Sequence, residues 1–286
     1  MMVRLILVLV AFTLFSVAAR ADQERIVSIG GSVTEIVYAL GASDRLVAVD
    51  STSLYPDIAT ELPDVGYMRR LSAEPILALE PDHILAISDA GPAPVLDQLR
   101  EAGVKITVID DEPSPGGIVD KIKDVALALD LTEQGQDLAR QVEADFDALA
   151  EELNVLAAST QRLMFVLNTG RGAPMVGGTG TSADAIIRLA GAENAVTGLD
   201  GYKPLSPEAA IEAAPDVILT MNRSVEASGG KAALLALPDI ALTPAGQNQA
   251  LISMEGLLLL GFGPRTPEAA RILAAALADL KPKPVN

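Results

Sequence analysis

Residues 71–86, LSAEPILALEPDHILA, and residues 205–220, LSPEAAIEAAPDVILT, are two copies of one pattern at an offset of 134. Leu71/Leu205, Ser72/Ser206, Glu74/Glu208, Pro81/Pro215, Asp82/Asp216, Ile84/Ile218 and Leu85/Leu219 are identical. Each copy reads as a serine-capped helix with a glutamate in its first turn, a Pro-Asp break and then a buried strand. A weaker echo pairs residues 32–42 with 182–192, each a helix closed by Gly-Ala. Two matches in the same order at similar offsets describe a chain made of two related halves. Two halves need two cores, and 286 residues, half of them hydrophobic, suffice to build both.

Around the repeats, short apolar runs alternate with helical patterns. Strands are expected at 26–29, 45–49, 83–87 and 105–109, with helices at 32–40 and 95–102 stopped by Gly41 and Gly103. That alternation predicts βαβ units and a mostly parallel sheet. From 132 to about 158 the pattern changes: Leu138, Val142, Phe146, Leu149, Leu153 and Leu156 recur every three or four residues. They form one apolar stripe on a helix of roughly seven turns. The acids Glu143, Asp145, Asp147, Glu151 and Glu152 lie largely off that stripe. Strand–helix alternation resumes at Leu163. The expected fold is therefore α/β, with two Rossmann-like lobes of mainly parallel sheet joined by one long α-helix. The boundaries are 22–131 for the N-terminal lobe, 132–158 for the connecting helix and 159–286 for the C-terminal lobe. A helical tie favours a fixed cleft over wide hinge closure.

Residues 1–21 read as a signal peptide. Arg4 precedes an uncharged run over 5–17, and Ala19 and Ala21 supply the small residues that signal peptidase requires. The run is too short to anchor in a bilayer. The chain contains no cysteine, which excludes a lipid anchor on the mature N-terminus. A soluble protein exported to a bacterial periplasm is expected.

The same absence excludes disulfides, thiolate metal sites and a thiol nucleophile. The single histidine, His83, cannot form a multi-histidine metal site, and Val217 takes its place in the second half. It reads as a strand residue near the sheet edge. A formal charge of −17 argues against nucleic acid as a partner. No G-x-S-x-G elbow is present. The stretch Gly177-Gly178-Thr179-Gly180 precedes a helix and reads as a tight turn; the alternative is an anion site in a secreted enzyme. It lacks the lysine of a P-loop.

Gly66-Tyr67-Met68-Arg69-Arg70-Leu71-Ser72 stands apart. It lies just before a helix cap, at the end of a strand where open α/β sheets bind ligands. It sets one phenol beside two arginines in a chain with four tyrosines and no tryptophan. A neighbouring arginine favours phenolate over phenol. Phenolate is a hard ligand for ferric iron, tyrosine serves as an axial haem ligand, and arginine pairs with carboxylates such as the haem propionates. On residue chemistry alone, a surface tyrosine with solvated arginines is an equal reading.

The chain resembles the periplasmic haem-binding proteins of bacterial haem ABC importers, within the class that also binds siderophores and cobalamin. The landmarks are IVSIGGSVTEIVYALGA at 26–42, GYMRRLSAEPILALEPD at 66–82 and GGTGTSADAIIRLAGAENA at 177–195. The resemblance implies that Tyr67 is the axial ligand of haem iron, with Arg69, Arg70 and Arg223 as partners of the tyrosinate or of the propionates. It implies that Glu74 and Glu208, matched in the two repeats, dock onto the membrane permease, which works with its ATPase. No histidine follows His83, so a second-lobe histidine ligand is absent and five-coordinate ligation by Tyr67 is expected. The function implied is transport, not catalysis. A ferric-siderophore or corrinoid binding protein of the same fold is the alternative.

Overall fold

The computed structural model describes residues 23–155, 161–168 and 173–280. The expected signal segment, and residues 156–158 with Leu156 at the end of the expected connecting helix, lie outside them. The first half runs β1 (Ile26–Ile29), α1 (Gly31–Ala39), β2 (Leu46–Val49), α2 (Ala73–Leu77), β3 (His83–Ile87), α3 (Ala93–Glu101), β4 (Lys105–Ile109) and α4 (Pro115–Ala128). Its four strands form a wholly parallel sheet in the order β2-β1-β3-β4. Helices on both faces leave β1 and β3 buried along their entire length, which is why their sequences are apolar runs instead of alternating ones. β4 closes one edge and is partly exposed.

His83 corrects one expectation. It opens an inner strand, flanked by β1 and β4, and is fully buried there instead of lying near the sheet edge. Its two ring nitrogens meet Thr107 Oγ1 at 2.8 Å and Glu24 Oε1 at 3.1 Å.

α5 (Thr132–Val155) then leads into the second half. That half comprises β5 (Arg162–Asn168), β6 (Met175–Gly177), α6 (Ser182–Leu189), β7 (Glu193–Asn194), β8 (Tyr202–Pro204), α7 (Pro207–Ala213) and β9 (Val217–Met221). It continues with α8 (Asn222–Ala227), α9 (Lys231–Leu235), α10 (Pro238–Ala241), α11 (Pro244–Gln247), β10 (Leu251–Met254), α12 (Gly256–Leu260) and α13 (Thr266–Asp279). The sheet order is β10-β9-β5-β6-β8, with β7 beside β5. β10, β9, β5 and β7 are parallel, whereas β6 and β8 join antiparallel, so this sheet is mixed. The repeated segments become α2–β3 and α7–β9. Ser206 Oγ accepts a hydrogen bond from the Ala209 N–H at 3.3 Å, capping α7, whereas Ser72 holds the equivalent position on α2 without a side-chain bond.

The two halves share one core. The stripe on α5 turns Val142 and Leu149 inward, and Gly135 lets α5 approach α4 so closely that a Cβ there would lie 2.2 Å from Ala126 Cβ. α13 packs back on α5 and α6. Leu163 and Phe165 on one face of β5 join the N-terminal strands in a single apolar cluster, while Met164 and Val166 face a second cluster confined to the C-terminal half.

Polar ties reinforce the packing. Arg265 Nη2 donates to Glu35 Oε2 at 2.9 Å, its backbone N–H donates to Glu35 Oε1 at 3.2 Å, and its guanidinium lies 3.4 Å above the Tyr55 ring centroid. The fully buried Lys121 ammonium bonds Asp111 and donates to the Phe262 carbonyl at 3.0 Å. Together these hold the two halves at one orientation.

Candidate ligand cleft

In the N-terminal sheet the chain passes from β1 outward to β2, then crosses back to β3 and β4. The strand order therefore reverses between β1 and β3, and the crevice beyond their carboxyl ends is where an open α/β sheet receives a ligand. The segment from Pro63 to Leu71, which follows β2, is fastened over that point on two sides. On one side the Val65 N–H donates to the Val49 carbonyl at 2.9 Å and the Ser51 N–H to the Gly66 carbonyl at 3.0 Å. On the other, the Gly91 N–H donates to the Met68 carbonyl at 2.8 Å and the Leu71 N–H to the Gly91 carbonyl at 2.9 Å. Gly66 sits at φ +92°, a backbone state that a side chain would strain. Val65, Met68 and Leu71 are buried, so the residues between them, Tyr67, Arg69 and Arg70, project outward.

Tyr67 is 39% exposed. Its hydroxyl accepts a hydrogen bond from Arg69 Nη1 at 2.7 Å, and Arg69 Nη2 donates to Asp89 Oδ2 at 2.5 Å. Asp89 comes two residues after the end of β3, at the reversal point itself. Burial of the guanidinium works against its charge, yet the hydrogen bonds to Asp89 and to Tyr67 hold Arg69 above the ordinary arginine value. The cation is thus fixed at the phenol oxygen, with a carboxylate behind it. A tyrosine oxygen so placed has the chemistry of an axial ligand for a hard metal ion.

The other candidates lie elsewhere. Arg70 and Arg223 are exposed and make no side-chain hydrogen bond or ion pair among the described residues. Arg223 lies in the first turn of α8, directly beyond the carboxyl end of β9, and the bond to the Tyr67 hydroxyl comes from Arg69 of the same lobe. Gly178 and Thr179 spend their N–H groups on the Gly201 and Leu199 carbonyls, at 3.0 and 2.8 Å, and Thr181 Oγ1 caps α6 through the Asp184 N–H at 3.1 Å. The glycine-rich stretch forms a turn in which the Gly178 and Thr179 N–H groups are already engaged.

Comparison with known proteins gives the family. The family described as periplasmic binding protein matches residues 26–256. The chain belongs to this family. Among solved structures, it is similar to the periplasmic heme-binding protein BhuT in complex with two hemes. That match is at 42% identity and a TM-score of 0.85, covering 90% of this chain and 98% of BhuT. It is similar to the periplasmic heme-binding protein RhuT from Roseiflexus sp. RS-1 at 41% identity and a TM-score of 0.86, with the same coverage of 90% and 98%. A vitamin B12-binding protein of Vibrio vulnificus (strain YJ016) is 30% identical over 219 residues, covering 76% of this chain and 78% of that protein.

In this periplasmic binding protein, Glu74 and Glu208 are exposed in the first turns of α2 and α7. The Glu208 carboxylate is held below its ordinary value by its own backbone N–H and by the Ser206 hydroxyl, so it stays ionised at neutral pH. One residue at the cleft escaped the sequence. Asp89 carries no motif; only its position after a buried strand marks it. Tyr202 stands one residue out of register with Tyr67 in the repeat. Its ring meets the buried Phe165 ring edge to face, with centroids 6.2 Å apart.

Proposed function

We propose that this protein captures haem in the cleft between its lobes, with the Tyr67 phenolate as the axial oxygen ligand of ferric iron. The observation that carries this reading is the Tyr67–Arg69–Asp89 chain, at 2.7 and 2.5 Å, over the reversal point of the N-terminal sheet. Arg69 orients the phenol oxygen towards the cleft. The unpaired Arg70 and Arg223 are the cations available to the propionates. Haem is cargo here, and the protein acts as a carrier, not an enzyme. Removal of residues 1–21 on export leaves it in the periplasm, where Glu74 and Glu208 dock it onto an inner-membrane ABC permease driven by its ATPase.

Titration with hemin tests the reading: a Soret shift with a high-spin tyrosinate spectrum is expected, and Tyr67→Ala should abolish that spectrum and weaken binding by at least tenfold. An unchanged spectrum and affinity in Tyr67→Ala would overturn the assignment. The similarity to vitamin B12-binding proteins supports a second reading, a corrinoid ligand. Competition between hemin and cyanocobalamin decides between the two.

A further inference from the structure

Asp50, the residue directly after β2, is a buried acid to which the reading above gives no task. Its Oδ1 accepts the Gly30 N–H and the Ser53 hydroxyl, each at 2.9 Å. Its Oδ2 accepts the Thr52 N–H at 3.1 Å and the Thr52 hydroxyl at 2.7 Å. Thr52 Oγ1 in turn accepts the Gly31 N–H at 3.1 Å. The hydroxyls of Ser28, Thr34 and Ser53 follow one another behind this carboxylate in steps of 2.7 Å. Gly30 precedes α1 and Gly31 opens it, and the close fit requires both to be glycine. A Cβ on Gly31 would lie 2.4 Å from the Thr52 carbonyl oxygen, and one on Gly30 would lie 2.9 Å from Ile87 Cβ. Residues 50–53 are thus clamped onto the start of α1, whose first N–H groups are satisfied from within the chain.

The clamped turn reaches the two residues that flank Tyr67. The Ser51 N–H donates to the Gly66 carbonyl at 3.0 Å, and Thr52 Oγ1 lies 3.9 Å from Met68 Sδ. Gly66 has no side chain to lock it, so its peptide groups are held by hydrogen bonds alone: the one from Ser51, and its own N–H donating to Asp64 Oδ1 at 2.7 Å. No hydrogen bond joins Asp50 to Tyr67 or Arg69 among the described residues. We propose, resting on the haem reading above, that Asp50 is a positioning residue: by clamping 50–53 onto α1 it fixes the backbone on which Tyr67 stands, and with it the direction from which the phenol oxygen meets iron. Arg69 and Asp89 orient the hydroxyl from the side of β3, while Asp50 orients the backbone from the side of β1 and β2. A carboxylate suits this place because every group that faces it is a donor. Asparagine would turn an NH2 group towards donors and lose half of the contacts.

The test uses the mature protein and hemin, read as dissociation rate to an apo-globin acceptor, tyrosinate charge-transfer band and melting temperature. Amide exchange over 63–71 is measured alongside, without hemin. Asp50→Asn should speed hemin loss by on the order of tenfold and shift the band. It should also raise exchange over 63–71 by about tenfold. Should Asp50→Asn fold poorly by circular dichroism, Thr52→Val, which keeps the shape and removes the hydroxyl, should speed hemin loss by about threefold and shift the band the same way. Thr52→Ser, which keeps the hydroxyl, should stay within about twofold of wild type. A lowered melting temperature with a wild-type band and dissociation rate, in Asp50→Asn or in Thr52→Val, would place the network in stability alone and overturn the proposal. Wild-type exchange over 63–71 in Asp50→Asn would overturn it as well. Absence of hemin binding in the wild type would overturn the haem reading itself, and this one with it.

Discussion

Arg69 holds Tyr67 and Asp89 at once, with one guanidinium nitrogen 2.7 Å from the phenol oxygen and the other 2.5 Å from the carboxylate. The two contacts use different nitrogens of one planar group, so the direction of the phenol is set from the end of β3, on which Asp89 follows. Lysine, a point charge on a flexible stem, cannot hold both partners in this geometry.

Arg69→Ala should weaken hemin binding by roughly tenfold, with a change in the tyrosinate charge-transfer band. Arg69→Lys should recover only part of the loss. Arg223→Ala, in a residue with no bond to Tyr67, should leave that band in place and change mainly the dissociation rate. Spectral titration of the three variants separates these outcomes; a normal band in Arg69→Ala would show that the hydrogen bond is idle in the complex.

Glu35 and Arg265 lie 230 positions apart and join the first helix to the loop before the last one. Glu35 is almost wholly buried, and the Arg265 Nε is buried without a partner, so the pair has little water to fall back on. Glu35→Ala strands the guanidinium against Tyr55 and should cost about 3 kcal/mol, lowering the melting temperature by roughly 5–10 °C. Scanning calorimetry reads this directly. A change below about 2 °C would mean that the shared apolar core alone sets the orientation of the lobes.

His83 gives stability a pH dependence of defined sign. Burial, with the nearby Lys105 charge, lowers its value from the ordinary 6.5 despite the opposing Glu24. The unfolded chain therefore takes up a proton in a range where the folded protein does not. The stabilisation is complete above about pH 6.5 and is lost as pH falls below it, towards the lowered folded value. Because this is the only histidine, the slope just below pH 6.5 belongs to it. Urea unfolding at pH 7.5, 6.5 and 5.5 should show wild-type stability falling over the last step. The His83→Asn variant should be less stable throughout but flatter over that interval.

Glu74 and Glu208 are exposed, and neither carboxylate bonds Tyr67 or Arg69, the pair that orients the phenol. Charge reversal of both should abolish haem uptake by cells that depend on this importer, while the hemin affinity of the purified protein stays unchanged. Parallel growth and binding assays test this. Loss of hemin binding in the reversed variant would contradict a docking role.

The parallel sheet around β1 and β3 and the matched α2–β3 and α7–β9 units are written into the sequence. A strand covered on both faces must be apolar throughout, and a duplicated unit must repeat its cap and its break. Tyr67 was legible for a related reason: a phenol followed closely by two arginines is a local feature. The bond from Arg69 was only half legible. It stands two positions from Tyr67, but Arg70 and Arg223 were equal candidates until the hydrogen bonds of Arg69 to the Tyr67 hydroxyl and to Asp89 singled it out. Asp89, the Glu35–Arg265 tie and the orientation of Tyr202 left no local trace. Each depends on how loops distant along the chain close over one another, and loop closure is governed by packing of the whole, not by the pattern of any one segment. The sequence by itself determined two related α/β halves and marked Tyr67 as the candidate ligand. Only the tertiary structure decided which arginine serves that tyrosine and what holds the lobes at one angle, because both rest on contacts between groups that meet only after the shared core has formed.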